Sequence, residues 1–362
     1  MDKIRIGVIG CGNISDIYLT NLRELESLEV VAVADLNHEK AVEKANKYGI
    51  DLVLGVDELL DDDAIDLVLN LTIPAAHAEI SLRVLEAGKH VYSEKPLAIT
   101  LEDGRKVLAK AEEKGLLVGS APDTFLGGGL QTCKKLIQEG AIGEPIAATA
   151  FMMGHGPESW HPDPEFFYRA GAGPMFDMGP YYLSVLINLI GPVHRLTGST
   201  RVTSPERTIT SEPKYGQKIK VETPTHVAGI LDFENGAIGT LITSFDVWGS
   251  QTPFVEIYGT KGSLSVPDPN TFAGPVLLRK PGEVEWSEIA ITHGSIDNSR
   301  GIGVIDMVDA LKNRRPHRAN GELAYHVLEI MHGIHESSIK GEHYRMTSTC
   351  RQPEALPSEI TK

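Results

Sequence analysis

A glycine turn between a strand pattern and a helix pattern, at the start of the chain, is the strongest constraint on the fold. Residues 4–9 are mostly apolar, as in a buried parallel strand, and helical periodicity begins after residue 15. Between them, Gly10 permits a tight turn and Gly12 lets backbone N–H groups approach a phosphate at the helix N-terminus. Ser15 replaces the usual third glycine and is small enough for close packing. The pattern predicts a dinucleotide-binding turn, with Asn13 and Ile14 beside the ligand.

The second strand pattern, residues 30–34, ends in Asp35. An acidic residue about 20 positions after the glycines binds the ribose hydroxyls of a dinucleotide. Its carboxylate would repel a 2′-phosphate, and no arginine follows within residues 36–38. The sequence therefore predicts NAD as cofactor and makes NADP less favoured.

Strand and helix patterns alternate over residues 1–124, which predicts an α/β Rossmann domain with a doubly wound parallel sheet. One predicted strand leads to Asn70, Thr72 and Pro74, which are expected to line the cofactor-binding surface. His77 follows the same strand, and it either faces the nicotinamide or caps the next helix. Both interpretations remain open at this point.

The next strand pattern stops abruptly at Glu94-Lys95-Pro96. Ligands bind at the carboxyl ends of strands in open parallel sheets, and a lysine there can donate or accept a proton because partial desolvation shifts an ammonium pKa readily. The alternative is a surface Lys–Glu pair before a turn.

Beyond residue 124 the pattern changes to strands and tight turns, with Asn235-Gly236 as a strong hairpin signal. This predicts an α+β domain over residues 125–345 with a large open antiparallel sheet. Residues 346–362 are predicted to form a C-terminal tail, whose residues 351–362 are expected to be loose or to wrap around another subunit.

The 362 residues carry 34 basic and 49 acidic side chains, a net charge of −15, which disfavours nucleic acid as a partner.

Three widely spaced cysteines indicate a reducing compartment. The first strand begins at residue 4, which leaves no room for a signal peptide, and no apolar run reaches transmembrane length. A cytoplasmic protein without membrane association is expected.

These motifs together resemble the Gfo/Idh/MocA oxidoreductase family (glucose–fructose oxidoreductase, inositol dehydrogenase and relatives). The resemblance is carried by the glycine turn, Asp35, Thr72-Ile73-Pro74-x-x-His77 and the run Ala87-Gly88-Lys89-His90-Val91-Tyr92-Ser93-Glu94-Lys95-Pro96. It implies that Glu94 and Lys95 contact the cofactor, that Lys95 also contacts substrate and takes part in catalysis, and that Pro96 is cis. It further implies that the domain of residues 125–345 binds substrate and mediates oligomerisation, with a homodimer or homotetramer formed through its sheet.

The family's pattern Asp-x-Gly-x-His matches Asp177 and Gly179, with Tyr181 in place of the histidine. The resemblance places Asp177 and Tyr181 at the substrate, where a phenol can exchange a proton with a hydroxyl or carbonyl. The alternative is an acidic residue at the start of a helix and a tyrosine that only packs in the core.

His155, Trp160 and His161 lie in a loop that closes over substrate in the family. Packing within the loop is equally compatible with these residues. A two-histidine metal site is disfavoured because no further ligand is suitably spaced.

The sequence therefore predicts an NAD-dependent enzyme that transfers hydride between a sugar or polyol carbon and nicotinamide, with Lys95 and Tyr181 in proton transfer and no metal. One alternative is a sugar-converting enzyme with tightly held NAD and no net redox change, resembling an epimerase or a glycosidase. Another is a non-catalytic NAD or sugar sensor.

Overall fold

The computed structural model describes residues 3–23 and 25–357, which form two compact units. Residues 3–23, 25–127, 294–325, 356 and 357 make the first unit, and residues 128–293 and 326–355 make the second. The helices are α1 (Ser15–Leu22), α2 (His38–Tyr48), α3 (Val56–Asp61), α4 (His77–Glu86), α5 (Leu101–Lys114), α6 (Gly128–Gln138), α7 (Gly173–Leu189), α8 (Ile302–Asn313) and α9 (Gly321–Lys340).

The strands follow the same two-part organisation. They are β1 (Ile4–Ile9), β2 (Leu28–Ala34), β3 (Leu52–Val53), β4 (Leu67–Asn70), β5 (His90–Ser93), β6 (Val118–Ser120), β7 (Pro145–Met153), β8 (Val193–Arg201), β9 (Glu206–Thr208), β10 (Lys218–Lys220), β11 (His226–Phe233), β12 (Ile238–Ser244), β13 (Val255–Gly259), β14 (Gly262–Val266), β15 (Val276–Arg279), β16 (Ser287–Ile289) and β17 (Tyr344–Arg345).

The first unit contains a parallel sheet in the order β3-β2-β1-β4-β5-β6, which confirms the predicted doubly wound sheet. The strand order reverses between β1 and β4, so a ligand crevice is expected at their carboxyl ends. Local signals define the surrounding helices: Thr100 caps α5 by accepting the N–H of Asp103 at 3.1 Å, and α2 ends at Gly49, whose φ is 69°.

Residues 294–325 belong to the first unit, although they follow the second unit's strands in sequence. Asp123 accepts the N–H groups of Gly301 (2.8 Å) and Gly303 (3.0 Å) at the start of α8. Asn21 of α1 donates to the carbonyl of Asn298 at 2.8 Å. The compact units thus differ from the contiguous ranges 1–124 and 125–345, whose separate functions stay a prediction.

The second unit contains a nine-stranded sheet in the order β16-β15-β14-β13-β7-β12-β11-β8-β17, and a separate β9–β10 ribbon. The sheet is large and open, as predicted, but mixed: within the described residues, β7 pairs in parallel with β12 and the other ladders are antiparallel. Strands β7 and β12 are far apart in sequence, so no hairpin forces them to run in opposite directions.

Helix α7 packs on one face of this sheet, against β7, β11 and β12. A proline is best tolerated in the first turn of a helix, but α7 begins seven residues before Pro180, at Gly173, and Pro180 lies in its interior. Gly173 has a φ of 87°, and a Cβ there would lie 2.8 Å from the carbonyl oxygen of Pro224. The early start therefore depends on glycine at this position.

The predicted tail begins as an anchored segment. The carboxylate of Glu329, on α9, accepts the N–H groups of Thr347 and Ser348 at 2.8 Å each. Gln352 donates to the carbonyl of Asn188 at 2.8 Å. Residues 346–352 are therefore not loose, and residues 358–362 of the predicted tail lie outside the described residues, as do residues 1 and 2.

Candidate active site

The glycine turn follows β1 and has the local geometry that a dinucleotide requires. Gly10 has a φ of 103°, and a Cβ there would lie 2.5 Å from the carbonyl oxygen of Leu71. A Cβ on Gly12 would meet nothing within 4 Å, so its backbone borders open space. Ser15 is buried and donates to the carbonyl of Gly12 at 2.6 Å. The turn therefore accommodates a pyrophosphate beside exposed Asn13 and half-buried Ile14.

Asp35 is held beside this turn. Its Oδ2 accepts the N–H of Cys11 at 2.7 Å, and its Oδ1 accepts the N–H of Asn37 at 2.8 Å. A carboxylate has about four acceptor positions, so the two oxygens retain capacity for a ribose diol. The donor set at the ends of β1 and β2 thus fits NAD.

Lys95 lies in a turn directly after β5, and its side chain is half-buried. Glu94 organises the turn: its Oε1 accepts the hydroxyl of Tyr18 at 2.8 Å, and its Oε2 accepts the N–H of Lys95 at 3.0 Å. The bond between Lys95 and Pro96 is cis, which confirms the prediction. Tyr18 had no recognisable signal in the sequence, because it precedes Glu94 by 76 residues.

The side chains expected to line the cofactor-binding surface divide into a buried group and a more exposed group. Asn70 and His77 are 0% and 1% exposed, and their polar atoms bond to protein groups. Asn70 donates to the carbonyl of His77 at 2.9 Å and accepts the hydroxyl of Thr72 at 2.6 Å. Thr72 is half-buried, and Pro74 is exposed at the start of a short 3₁₀ turn. Direct cofactor contact is thus better suited to the Thr72–Pro74 segment than to Asn70 or His77.

Asp177 and Tyr181 both lie on α7, one turn apart, as the spacing predicted. Asp177 is half-buried, and Tyr181 is 8% exposed. A common helix face places a carboxylate and a phenol side by side, although the burial of Tyr181 is also compatible with packing.

The three loop residues occupy two different environments within the second unit. The ring of His155 stacks on that of Trp248, with centroids 3.5 Å apart. Trp160 and His161 instead join an aromatic cluster with Phe167, and the Nδ1 of His161 accepts the N–H of Asp163 at 3.0 Å. The exposed indole of Trp160 (67%) suits contact with a ligand better than either histidine.

A buried ion network fixes this loop, and sequence reasoning missed it. Arg207, on β9, contacts Glu158 of the loop at 3.0 Å and also pairs with Asp246, which follows β12. Tyr168 donates a hydrogen bond to Glu158. Desolvation raises the pKa of the Tyr168 phenol well above its usual range. No spacing rule links these residues, because they lie on four different segments.

Asp123 is a buried acidic residue of the first unit and is 1% exposed. Its carboxyl group accepts N–H groups at the start of α8. Desolvation raises its pKa from 3.8 to about 6, although the bonds from Gly303 and Gly301 act in the opposite direction. The folded protein therefore favours the protonated carboxyl more than the unfolded chain does. The resulting stabilisation is fully present below the unfolded pKa and is lost as the pH rises through the folded one.

We expect Asp123→Asn to remove this pH dependence. The wild type should lose stability relative to the variant between about pH 4 and pH 7, by on the order of 3 kcal/mol in free energy of unfolding. Thermal melts of both proteins across this range test the prediction. Asp103→Asn is the control: its bond from Thr100 lowers the pKa of Asp103, so its contribution has the opposite sign. Parallel curves for the wild type and Asp123→Asn would contradict the assignment.

Two other kinds of feature, a metal site and a membrane-spanning helix, have no candidates among the described residues. Residues 3–23 and 25–357 contain no group of three or more His, Cys, Asp or Glu side chains able to hold a metal ion. Nor does any helix in these ranges have the length and apolar character needed to cross a membrane.

Comparison with known proteins identifies both parts of the chain. Residues 4–121 match the model of an oxidoreductase family with an NAD-binding Rossmann fold, and residues 130–265 match the GFO/IDH/MocA C-terminal domain. The chain is 29% identical over 265 residues to 1,5-anhydro-D-fructose reductase of Ensifer adhaerens, covering 72% of this chain and 74% of the relative. It is 23% identical over 262 residues to myo-inositol 2-dehydrogenase of Thermotoga maritima, again covering 72% and 74%.

A solved structure agrees at the level of the fold. Levoglucosan dehydrogenase in complex with NADH superimposes with a TM-score of 0.81 at 22% identity, over 96% of this chain and 100% of that one. The two family models together span more than half of the sequence. The chain therefore belongs to the Gfo/Idh/MocA oxidoreductase family, as its motifs suggested, and is an oxidoreductase whose first unit contains an NAD-binding Rossmann domain.

Proposed function

We propose that this enzyme transfers hydride between nicotinamide and a ring carbinol carbon of a sugar or cyclitol. One observation carries the proposal: the glycine turn after β1 and the Lys95 turn after β5 lie at the same edge of one parallel sheet. NAD bound along this edge would supply the hydride acceptor, and Lys95 would exchange the hydroxyl proton. The names of the two relatives, a reductase of a sugar derivative and a dehydrogenase of a cyclitol, support the substrate class.

We assign Asp177 and Tyr181 to the substrate. Tyr181 replaces the family's histidine and would share the hydroxyl proton with Lys95, while Asp177 orients the substrate. Exposed Trp160 would contact an apolar sugar face, with His155 and His161 nearby in the same loop. A phenol can perform this role because it can donate to a carbonyl or, when deprotonated, accept from an alcohol.

The test is a spectrophotometric assay of NAD and NADP reduction with sugars, cyclitols and sugar acids. The panel includes myo-inositol and levoglucosan, and 1,5-anhydro-D-fructose is assayed with NADH in the reverse direction. Steady NADH formation or consumption with at least one compound is expected. Tight NAD binding without turnover on the whole panel would contradict the proposal and favour a sensor.

Cofactor choice gives a separate prediction. Asp35 would repel a 2′-phosphate, and the neighbouring Leu36 side chain is fully exposed. Asp35→Ser combined with Leu36→Arg should therefore raise affinity for NADP and lower it for NAD, because the repulsion is replaced by a guanidinium. Dissociation constants for both cofactors measure the switch, and Leu36→Arg alone is the control. Unchanged preference would mean that Asp35 does not face the ribose.

We also propose a homodimer or homotetramer formed through the face of the nine-stranded sheet that is opposite α7. Apolar side chains point to that face from four neighbouring strand segments: Phe151, Ile230, Ile238, Ile242 and Phe254. Ile238 is 54% exposed and Phe254 is 48% exposed. Apolar side chains grouped on a sheet face suit burial against a second copy. Sedimentation velocity should give a mass of two or four chains, and a monomer at micromolar concentration would contradict this assembly.

A further inference from the structure

His77 connects the two strand-end turns at the edge of the sheet that we assign to the cofactor. It is the first residue of α4 and is 1% exposed. Its Nδ1 lies 2.7 Å from the carbonyl oxygen of Pro96, and its Nε2 lies 3.0 Å from the carbonyl oxygen of Thr72. One ring therefore spans the turn after β4 and the turn after β5.

The position of this ring is itself fixed. Asn70 donates to the carbonyl of His77 at 2.9 Å and to the hydroxyl of Ser81, on the next turn of α4, at 3.1 Å. The same amide accepts the hydroxyl of Thr72. The buried side chain of Asn70 thus sets both the start of α4 and the Thr72 turn that the ring contacts.

The turn that carries Lys95 is held on both sides. Before Lys95, the N–H of Glu94 donates to the carbonyl of Asn70 at 2.9 Å, and Tyr18 fixes the Glu94 carboxylate. After Lys95, the carbonyl of Pro96 bonds to His77. Without this second attachment, the backbone after Lys95 would lose a buried hydrogen bond while the backbone before it stayed in place.

Burial lowers the pKa of His77, while its contacts with the carbonyl groups of Pro96 and Thr72 act in the opposite direction. A carbonyl oxygen can only accept a hydrogen bond, so the Nδ1 atom that lies 2.7 Å from the carbonyl oxygen of Pro96 donates in that bond. The bond that matters for Lys95 is therefore Nδ1–H to the carbonyl of Pro96. Asn at this position can present an N–H₂ group near the Nδ1 location, whereas Gln presents it near the Nε2 location.

We propose that His77 is a positioning residue that holds Lys95 in its productive orientation through the Pro96 carbonyl. The proposal rests on the proposed role of Lys95. A displacement of about 1 Å at a reacting group can cost 10²-fold in rate, which sets the scale of the effect.

The experiment compares His77→Leu, His77→Asn and His77→Gln with the wild type. His317→Leu is the matched control, because His317 is a 5% exposed histidine of the same unit whose ring bonds a carbonyl, that of Val118. Two readouts are used: amide hydrogen exchange at residues 90–97 in the NAD-free protein, and kcat with the KM for NAD on a substrate found in the panel.

His77→Leu and His77→Gln should speed exchange around Lys95 and lower kcat by about 10- to 100-fold, with little change in the KM for NAD. His77→Asn should restore part of the exchange protection and part of kcat, and His317→Leu should change neither quantity. The proposal would be overturned if His77→Leu left exchange and kcat unchanged, or if His77→Asn and His77→Gln lowered kcat and exchange protection equally. If the wild type turns over no compound, the proposed function fails, whereas exchange still decides the role of His77.

Discussion

Replacing Lys95 with methionine should lower kcat by about 10²–10⁴-fold, the usual contribution of a positioned acid–base group. Methionine keeps the length and apolar stem of lysine but cannot carry a proton. The glycine turn and Asp35 lie on other strands and should hold NAD as before. Steady-state kinetics on the best substrate and fluorescence titration with NADH separate the two effects. Undiminished turnover would reject the assigned role of Lys95.

Two further variants show whether the lost function is proton transfer or positive charge. Lys95→Arg keeps the charge, but a guanidinium does not release its proton near neutral pH, so kcat should stay close to that of the methionine variant. Lys106→Met removes an exposed lysine of α5 that pairs with Glu102 at 2.8 Å, and it should leave kcat unchanged. Wild-type turnover in Lys95→Arg would assign Lys95 an electrostatic role only.

Local patterns in the sequence predicted the first unit well. Gly10 and Gly12 lie in the expected turn, because this feature depends on residues that are close in sequence. Strand direction in the second unit was less predictable. The parallel pairing of β7 with β12 depends on which distant strands become neighbours, which no short motif encodes.

The same distinction separates the site residues that could be identified from those that could not. Lys95 and Asp35 follow from strand ends and spacing. In contrast, Tyr18 supports Glu94, Asp123 caps α8 and Arg207 pairs with Glu158 across separations of 76, about 180 and 49 residues. Such partners come together only through the tertiary fold. His77 is an intermediate case: a sequence motif singled it out, whereas its contacts with the carbonyl groups of Pro96 and Thr72 became apparent only in the fold.

Replacing Arg207 with methionine should destabilise the protein by about 3–5 kcal/mol, the usual effect of removing one partner of a buried ion pair. The side chains of Arg207, Glu158 and Asp246 are only 10%, 5% and 13% exposed. Without the guanidinium, two carboxylates would remain buried without their cation. Thermal and urea denaturation, followed by circular dichroism, should show the loss. Stability within 1 kcal/mol of the wild type would mean that solvent screens the network.

The charge balance of the network supplies the decisive control for Arg207→Met. Adding Glu158→Gln and Asp246→Asn should recover part of the stability, because neutral amides cost less to bury than unpaired carboxylates. Arg207→Lys should be intermediate, since an ammonium cannot present the fork of donors that reaches Glu158, Asp246 and the carbonyl of Phe245. The backbone carbonyl of Glu158 accepts the N–H groups of residues 210 and 211. If the loss of Arg207 shifts Glu158 enough to weaken these bonds, the loop that carries Trp160 should become more mobile. An increase in the KM for the sugar, with the KM for NAD unchanged, would then show that this loop contacts substrate.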